Sequence, residues 1–264
     1  MIEYKNLKGV PDFYCYELSP KTSKYAICIP VINEGNRIIN QLEKGINKNI
    51  NNNFDIIICD GGSTDGSTDL KKLSNLGVNT LIVKNGKGKQ GAQLRQGFYF
   101  ALERSYAGIV TIDGNNKDLL EEVGRFVTKL DEGYDYIQGS RFIKGGYHEN
   151  TPLMRYFAVK LIHSPIISFT AGNKITDSTN NFRAYSAKYL KDERLNIFRD
   201  IFNSYELLAY LSTSAKKLGY RFCEVPVSRI YPRHNVPTKI SVFKGNVNLL
   251  KILLKNLRGD FKSW

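Results

Sequence analysis

An α/β fold, with a mostly parallel sheet flanked by helices, is what the sequence predicts, and three observations predict it. Short β-branched runs alternate with longer helical patterns through the first half of the chain. The residues just after those runs are rich in glycine and carboxylates, as at the strand ends where such sheets bind ligands. The 264 residues, 42% apolar and 24% charged, suffice for a sizeable core and are too apolar for a disordered chain.

Taken in order, residues 1–24 mix acids, lysines and tyrosines and read as an N-terminal extension. They hold no apolar stretch of the kind a secretory signal needs. A domain over 25–240 then opens with a strand at 25–29 and a helix at 34–48, and a polar asparagine loop fills 47–53. Strands at 55–60, 78–83, 108–113 and 135–139 follow, separated by helices at 67–75, 88–104 and 118–131. From Thr151 the strand rhythm fades into helices at 152–169 and 203–217 and one more strand at 221–227, followed by a C-terminal helical extension over 241–264. No run approaches the roughly eighteen apolar residues of a spanning helix, so the expectation is a cytoplasmic protein.

Thirty-eight basic against twenty-five acidic side chains leave a net charge of +13, which favours nucleic acid, phosphorylated metabolites or an anionic membrane face as partner. Composition does not choose among them. Cys15, Cys28, Cys59 and Cys223 share no C-x-x-C spacing and read as small hydrophobes, and His148, His163 and His234 are too scattered for a histidine metal site.

Two loops suggest chemistry. Gly86-x-Gly88-x-x-Gly91 sits between a strand and a helix and formally matches a dinucleotide fingerprint, although it follows the third strand rather than the first. Its Lys87 and Lys89 suit a phosphate-facing role, with simple turn chemistry as the alternative. Asp60-Gly61-Gly62-Ser63-Thr64-Asp65-Gly66-Ser67 ends a strand with a carboxylate and reads either as a tight turn with a helix cap or, beside Pro30-Val31-Ile32-Asn33-Glu34, as a nucleoside site.

These segments in order, with Gly88-Lys89-Gln90-Gly91-Ala92, Asp113-Gly114-Asn115, Gly139-Ser140-Arg141-Phe142 and Gly145-Gly146, resemble the family 2 glycosyltransferases, and among them the dolichyl-phosphate mannose synthase branch. The resemblance runs from about Tyr25 to Thr238. It implies a GT-A fold, a nucleotide-sugar donor and inverting transfer to a polyprenyl phosphate or other phosphorylated acceptor, in glycan or glycolipid synthesis of the bacterial type, with no nucleic-acid partner. It also implies that Pro30, Asn33, Glu34 and Asp60 hold the nucleoside, that Arg141 and Arg155 face the acceptor phosphate, and that Asp177 to Arg183 stands for a D-x-x-x-G-F-R motif with Asn181 in place of glycine. With Lys87, Lys89, Asn115 and Arg183, those nucleoside residues make the expected substrate-binding set. Asp113, Lys117, Arg141, Arg155 and Asp177 make the catalytic one.

The resemblance further implies a divalent Mg or Mn ion at Asp113, Asn115 and Asp118. The D-x-D motif, however, reads Asp-Gly-Asn, and an amide forgoes an attraction of about 8 kcal/mol to a divalent ion at ~4 Å before desolvation. Lys117 adds a like charge, so the metal is doubtful and Lys117 is a candidate to neutralise the leaving diphosphate. A phosphate acceptor needs arginine forks for orientation, whereas a sugar hydroxyl needs a carboxylate base, for which Asp177 and Glu206 are the candidates. A nucleotidyltransferase and a catalytically weakened nucleotide-sugar-binding domain remain alternatives. At the C-terminus Lys244, Lys251, Lys255, Arg258 and Lys262 share one helix face beside an apolar stripe of Phe243, Val247, Leu250, Leu254, Leu257 and Phe261. That pattern predicts a basic amphipathic helix at an anionic membrane surface, with a helix docked on the core as its rival.

Overall fold

The computed structural model describes residues 1–50, 53–233 and 242–264, with the side chains of Val242, Phe243, Lys244 and Asn246 left out. Asn51, Asn52, His234 and Lys239 lie outside the described residues, as does the end of the motif series at Thr238. Strands β1 (Ile2–Tyr4), β2 (Phe13–Glu17), β3 (Tyr25–Val31), β4 (Asp55–Asp60), β5 (Thr80–Lys84), β6 (Gly108–Thr111), β7 (Tyr136–Ser140), β9 (Arg183–Ser186) and β10 (Phe222–Pro226) form one sheet in the order β1-β2-β5-β4-β3-β6-β9-β7-β10. A small second sheet pairs β8 (Tyr147–Glu149) with β11 (Ser228–Ile230) in parallel. The α/β class is thus as expected. The centre, β5-β4-β3-β6, is parallel throughout. Residues 55–60, Asp-Ile-Ile-Ile-Cys-Asp, are buried at every position, as a strand covered on both faces requires.

Three strands of the main sheet arise where the sequence pattern gave none. Residues 2–17 add β1 and β2 at the sheet edge, β2 antiparallel to β5 and β1 antiparallel to β2, so the first 24 residues contribute to the same sheet. β9 inserts between β6 and β7, antiparallel to both, and carries the Phe182-Arg183 end of its motif through the middle of the sheet.

The sheet separates two apolar clusters. One, under α1 (Asn36–Ile46), α2 (Leu70–Asn75) and α4 (Val123–Asp131), includes Ile38, Leu73 and Phe126. The other lies under α3 (Gln90–Glu103), α6 (Ser164–Ala171) and α8 (Glu206–Ser214), and includes Phe98, Ile167 and Leu211. The expected helix at 152–169 is α5 (Leu153–Ala158), a π-helical stretch (Val159–His163) and α6. Between β9 and α8 lies the short α7 (Ala187–Leu190).

The C-terminal helix, α9 (Val242–Arg258), docks on the core. Ile252, Leu253 and Phe261 are buried in the second cluster, and Asn256 donates to Ala209 O at 3.3 Å and Thr213 Oγ1 at 2.9 Å. Of the stripe read as membrane-facing, Val247, Leu254 and Leu257 are exposed while Phe261 turns inward. The rival reading of this helix therefore describes its inner face, because a buried asparagine needs the partners that α8 supplies. No helix among the described residues is long and apolar enough to cross a membrane.

Candidate active site

The loops after β3, β4 and β6 meet at the carboxyl edge of the sheet, where a parallel arrangement converges its strand ends. Asn33, at φ +47°, receives Thr64 N–H on its side-chain oxygen at 2.8 Å and donates its own N–H to Ser63 Oγ at 2.9 Å. Asp65 accepts Gly35 N–H at 2.7 Å, so the two loops are knitted into one floor. Pro30 is buried within β3. Glu34 pairs with Arg37 at 2.7 Å. Asp60, only 2% exposed, accepts Ser63 N–H on both oxygens at 3.0 Å and Ser63 Oγ at 2.6 Å. In this arrangement it builds its own turn at the same strand end where a nucleoside carboxylate was expected.

The glycine loop after β5 serves close packing. A Cβ on Gly91 would stand 2.5 Å from Ser204 O and 2.6 Å from Phe202 O, so only glycine lets the start of α3 approach the 202–204 backbone. Lys87 and Lys89 are exposed, and the residue this loop delivers inward is Gln90.

Asp113 is the centre of the constellation. α1 fastens its turn: Gln41 Nε2 donates to Asp113 O at 3.0 Å, Gln41 Oε1 accepts Asn116 N–H at 2.8 Å, and Lys44 donates to Asn116 Oδ1 at 3.1 Å. The Asp113 carboxylate accepts four donors: Gln90 and Asn181 on Oδ1, each at 3.1 Å, and Asn115 at 3.4 Å and Arg229 at 3.2 Å on Oδ2. Arg229, 5% exposed, also pairs with Asp118 through Nη1 and donates from Nε to Tyr231 Oη at 3.3 Å. Burial works to raise the Asp113 carboxyl, but the Arg229 charge and Asn181 outweigh it and hold it below its usual value. Burial dominates at Asp118, whose carboxyl is pushed up to about 6 despite Arg229.

These residues do not fit a divalent ion as arranged. Roughly four lone-pair directions of a carboxylate are already met at Asp113. A guanidinium lies between Asp113 and Asp118, and no cluster of three metal-ligating acids, histidines or cysteines occurs among the described residues. The ligand set Asp113, Asn115 and Asp118 is thus brought together around an arginine.

A second group lies beside it. Tyr231 accepts from Arg155 Nη1 at 3.2 Å, and its ring lies 5.0 Å from Lys117 Nζ and 5.6 Å from the Arg229 guanidinium. Burial acts to raise the phenol, yet Arg229, Arg141 and Arg155 bring it down to about 8. Lys117, 5% exposed, is lowered by burial and by Arg229. The geometry corrects two expectations. Asp177, a candidate base, is sealed at 0% exposure behind Arg141, which engages both its oxygens, so a substrate hydroxyl does not reach it. Arg183, expected at the substrate, is 1% exposed and donates to the carbonyls of Ser178, Asn180 and Leu208, because β9 buries it in the sheet. Glu206 caps the start of α8, accepting Ser204 N–H at 2.6 Å.

Arg229 and Tyr231 were not singled out for this site from sequence. Period-two alternation carried a signal: Val225, Val227, Arg229 and Tyr231 are all buried while Ile230 between them is exposed, and an arginine on a core face calls for carboxylate partners.

Residues 26–194 match the family model described as Glycosyl transferase family 2, about two thirds of the chain. The chain belongs to glycosyl transferase family 2. Within it, the chain is 28% identical over 233 residues to an uncharacterized protein of Methanocaldococcus jannaschii, covering 88% of this chain and 91% of that one. It is also 28% identical over 176 residues to the polyprenol monophosphomannose synthase of Mycolicibacterium smegmatis, covering 66% of this chain and 65% of that one. The dolichyl-phosphate hexose transferase of Haloferax volcanii is 24% identical, covering 75% and 79%. Among solved structures, glucosyl-3-phosphoglycerate synthase from Mycobacterium tuberculosis, in complex with Mn²⁺, UDP and glucosyl-3-phosphoglycerate, superposes with a TM-score of 0.65 at 14% identity, covering 89% of this chain and 80% of that one. That likeness shows a shared GT-A-type fold.

Proposed function

We propose that this family 2 glycosyltransferase transfers a sugar, with inversion, from a nucleotide-sugar donor to a polyprenyl-phosphate acceptor presented at an anionic membrane surface. The observation that carries the reading is the helix bearing Arg155. Its outer face is apolar and exposed: Leu153 at 74%, Met154 at 67% and Leu161 at 69%, with Phe157 beside them and Phe169 on α6. Its inner face turns Arg155 to Tyr231 and buries Val159 and His163. An apolar patch of this kind marks an interaction surface, and here it adjoins a pocket of cationic side chains. A lipid phosphate has both chemistries. Two relatives are named for polyprenol- and dolichyl-phosphate chemistry, which supports the same reading.

In this mechanism the acceptor phosphate is already ionised and needs orientation more than a general base. Arg141 is fixed by Asp177 and aims a buried Nη1 that has no hydrogen-bond partner among the described residues. Arg155 supplies a second fork from the membrane-facing helix. Lys117 lies among them, placed to offset charge that develops on the leaving diphosphate. The test is nucleotide release from a panel of nucleotide sugars offered undecaprenyl or dolichyl phosphate in liposomes, a soluble phosphorylated acid, or a free sugar. Transfer only with the lipid phosphate supports the reading. Transfer to the free sugar, or pyrophosphate release from a nucleoside triphosphate, overturns it.

A further inference from the structure

We propose that the Arg229 guanidinium is the resident cation of the donor site, bridging Asp113 and Asp118 so that the chain holds a nucleoside diphosphate without a divalent metal. This deepens the donor-site part of the proposed function and rests on it. The guanidinium reaches Asp113 Oδ2 at 3.2 Å with one terminal nitrogen and Asp118 Oδ2 with the other. Nε donates to Tyr231 Oη at 3.3 Å, and Nη1 also donates to Asn180 Oδ1 at 3.4 Å.

Backbone pairing sets the position. Arg229 is held opposite His148 in the β8–β11 pair and bridges Asp118 on its other side, while Ile230 N–H donates to Lys117 O at 2.8 Å. An arginine pinned by its main chain on both sides keeps its guanidinium at the carboxylates instead of sampling solvent. The amides contribute too. Asn115 and Asn181 donate to Asp113, where the aspartate and the glycine of the two motifs would have left its lone pairs open to an ion.

The charges lead to the same place. Around Tyr231, the acids Asp113, Asp118 and Asp177 face the bases Lys117, Arg141, Arg155 and Arg229, so three negative groups meet four positive ones before any donor binds. A divalent ion would add two further positive charges to a buried pocket that already has the sign a diphosphate requires.

The experiment measures binding of UDP, GDP and dTDP to the full chain by calorimetry, in EDTA and in Mn²⁺, and uptake of Mn²⁺ alone by electron paramagnetic resonance. Wild type and Arg229→Gln are compared, with Arg229→Lys as the charge-keeping control. Expected for wild type is an affinity for its preferred nucleotide equal within about threefold in the two conditions, and no Mn²⁺ uptake. Arg229→Gln should take up Mn²⁺ and need it for nucleotide binding by about tenfold or more, while Arg229→Lys stays metal-independent. A wild type that loses its nucleotide in EDTA overturns the proposal and leaves the transferase reading standing. So does a folded Arg229→Gln that takes up no Mn²⁺ and binds nucleotide as wild type does. Should Arg229→Gln fail to fold, the wild-type comparison decides alone. If no nucleotide binds in either condition, the donor reading itself falls, and Mn²⁺ uptake by wild type against the variant still decides the role of Arg229.

Discussion

Asp177 grips Arg141 side-on, accepting Nε on Oδ2 at 2.6 Å and Nη2 on Oδ1 at 2.8 Å, and so turns Nη1 away as the one terminal nitrogen without a partner among the described residues. The pair is almost fully buried, with side-chain exposures of 1% and 0%. Removing one member of such a pair strands a charge, at a cost of about 3–5 kcal/mol. Asp177→Asn should therefore lower the melting temperature markedly. Arg141→Lys keeps the charge but loses the fork. It should raise the KM for the acceptor phosphate about tenfold or more while leaving nucleotide affinity unchanged. An unchanged acceptor KM would remove Arg141 from the acceptor site.

The Tyr231 phenol gives the site a pH signature. Burial opposes its ionisation, and the charges of Arg229, Arg141 and Arg155 overcome burial and lower it to about 8. Above that value the folded chain has released a proton that the unfolded chain still holds. Stability should therefore rise with pH from about 8 towards the ordinary tyrosine range, and this contribution should vanish as pH falls through about 8. Tyrosinate absorbance should show one group with a midpoint near 8 in wild type and none in Tyr231→Phe. A Tyr231→Phe titration superimposable on wild type would show that the low midpoint belongs elsewhere.

Asp60 separates a turn role from a donor role. Its carboxylate holds Ser63 by backbone and hydroxyl, and Ser63 in turn holds Asn33. Asp60→Ala should cost about 1 kcal/mol of stability by losing its hydrogen bonds to the part-buried Ser63, and should weaken nucleotide binding because the floor beneath it loosens. Ser63→Ala, which keeps the backbone bond, should cost less in both. Asp60→Ala with wild-type melting temperature and wild-type nucleotide affinity would remove the residue from the site altogether.

What the sequence made legible and what it hid follow from range. Strands such as 55–60 are readable because a run buried on both faces has an unmistakable composition, whereas the helix expected from residue 67 starts at Leu70, where Asp69 caps it by accepting Lys72 N–H. Asp113, Lys117, Arg141 and Arg155 lie together around Tyr231 and Arg229, since loops at the ends of parallel strands meet. Arg229 lies two residues past the strand expected at 221–227, where the sequence reading placed no chemistry. Its meaning depends on Asp118, 111 positions earlier, and on Asp113, and no local pattern shows such a pairing. Likewise Asn181, visible only as a departure from glycine, acquires its role through Asp113. β1 and β2 were missed because strands of three and five residues carry too little alternation to stand out.

The last prediction concerns how the protein meets a bilayer. On the proposed reading the bilayer contact is α5 and the π-helical turn that follows it, rather than the α9 face that the sequence pattern suggested. α9 buries Ile252, Leu253 and Asn256 against α6 and α8, so truncation before Val242 should lower the melting temperature rather than leave the fold intact. Leu153, Met154, Phe157 and Leu161 already stand in water, so replacing all four by serine removes no core contact and should leave the melting temperature within about a degree or two of wild type. The same change should abolish co-sedimentation with anionic liposomes. Even partial insertion of four large apolar side chains is worth several kcal/mol, against full burial values of about 1.5–3 kcal/mol each. Lys160, exposed on the same segment, and the lysines on the outer face of α9 add a salt-sensitive share of about 1 kcal/mol per charge near the surface. Binding should therefore weaken with salt in wild type, and the serine variant should not recover it even at low salt. If the serine variant sediments as wild type does while a charge reversal at Lys251 and Lys255 abolishes binding, α9 is the membrane contact and the apolar face of α5 serves another partner.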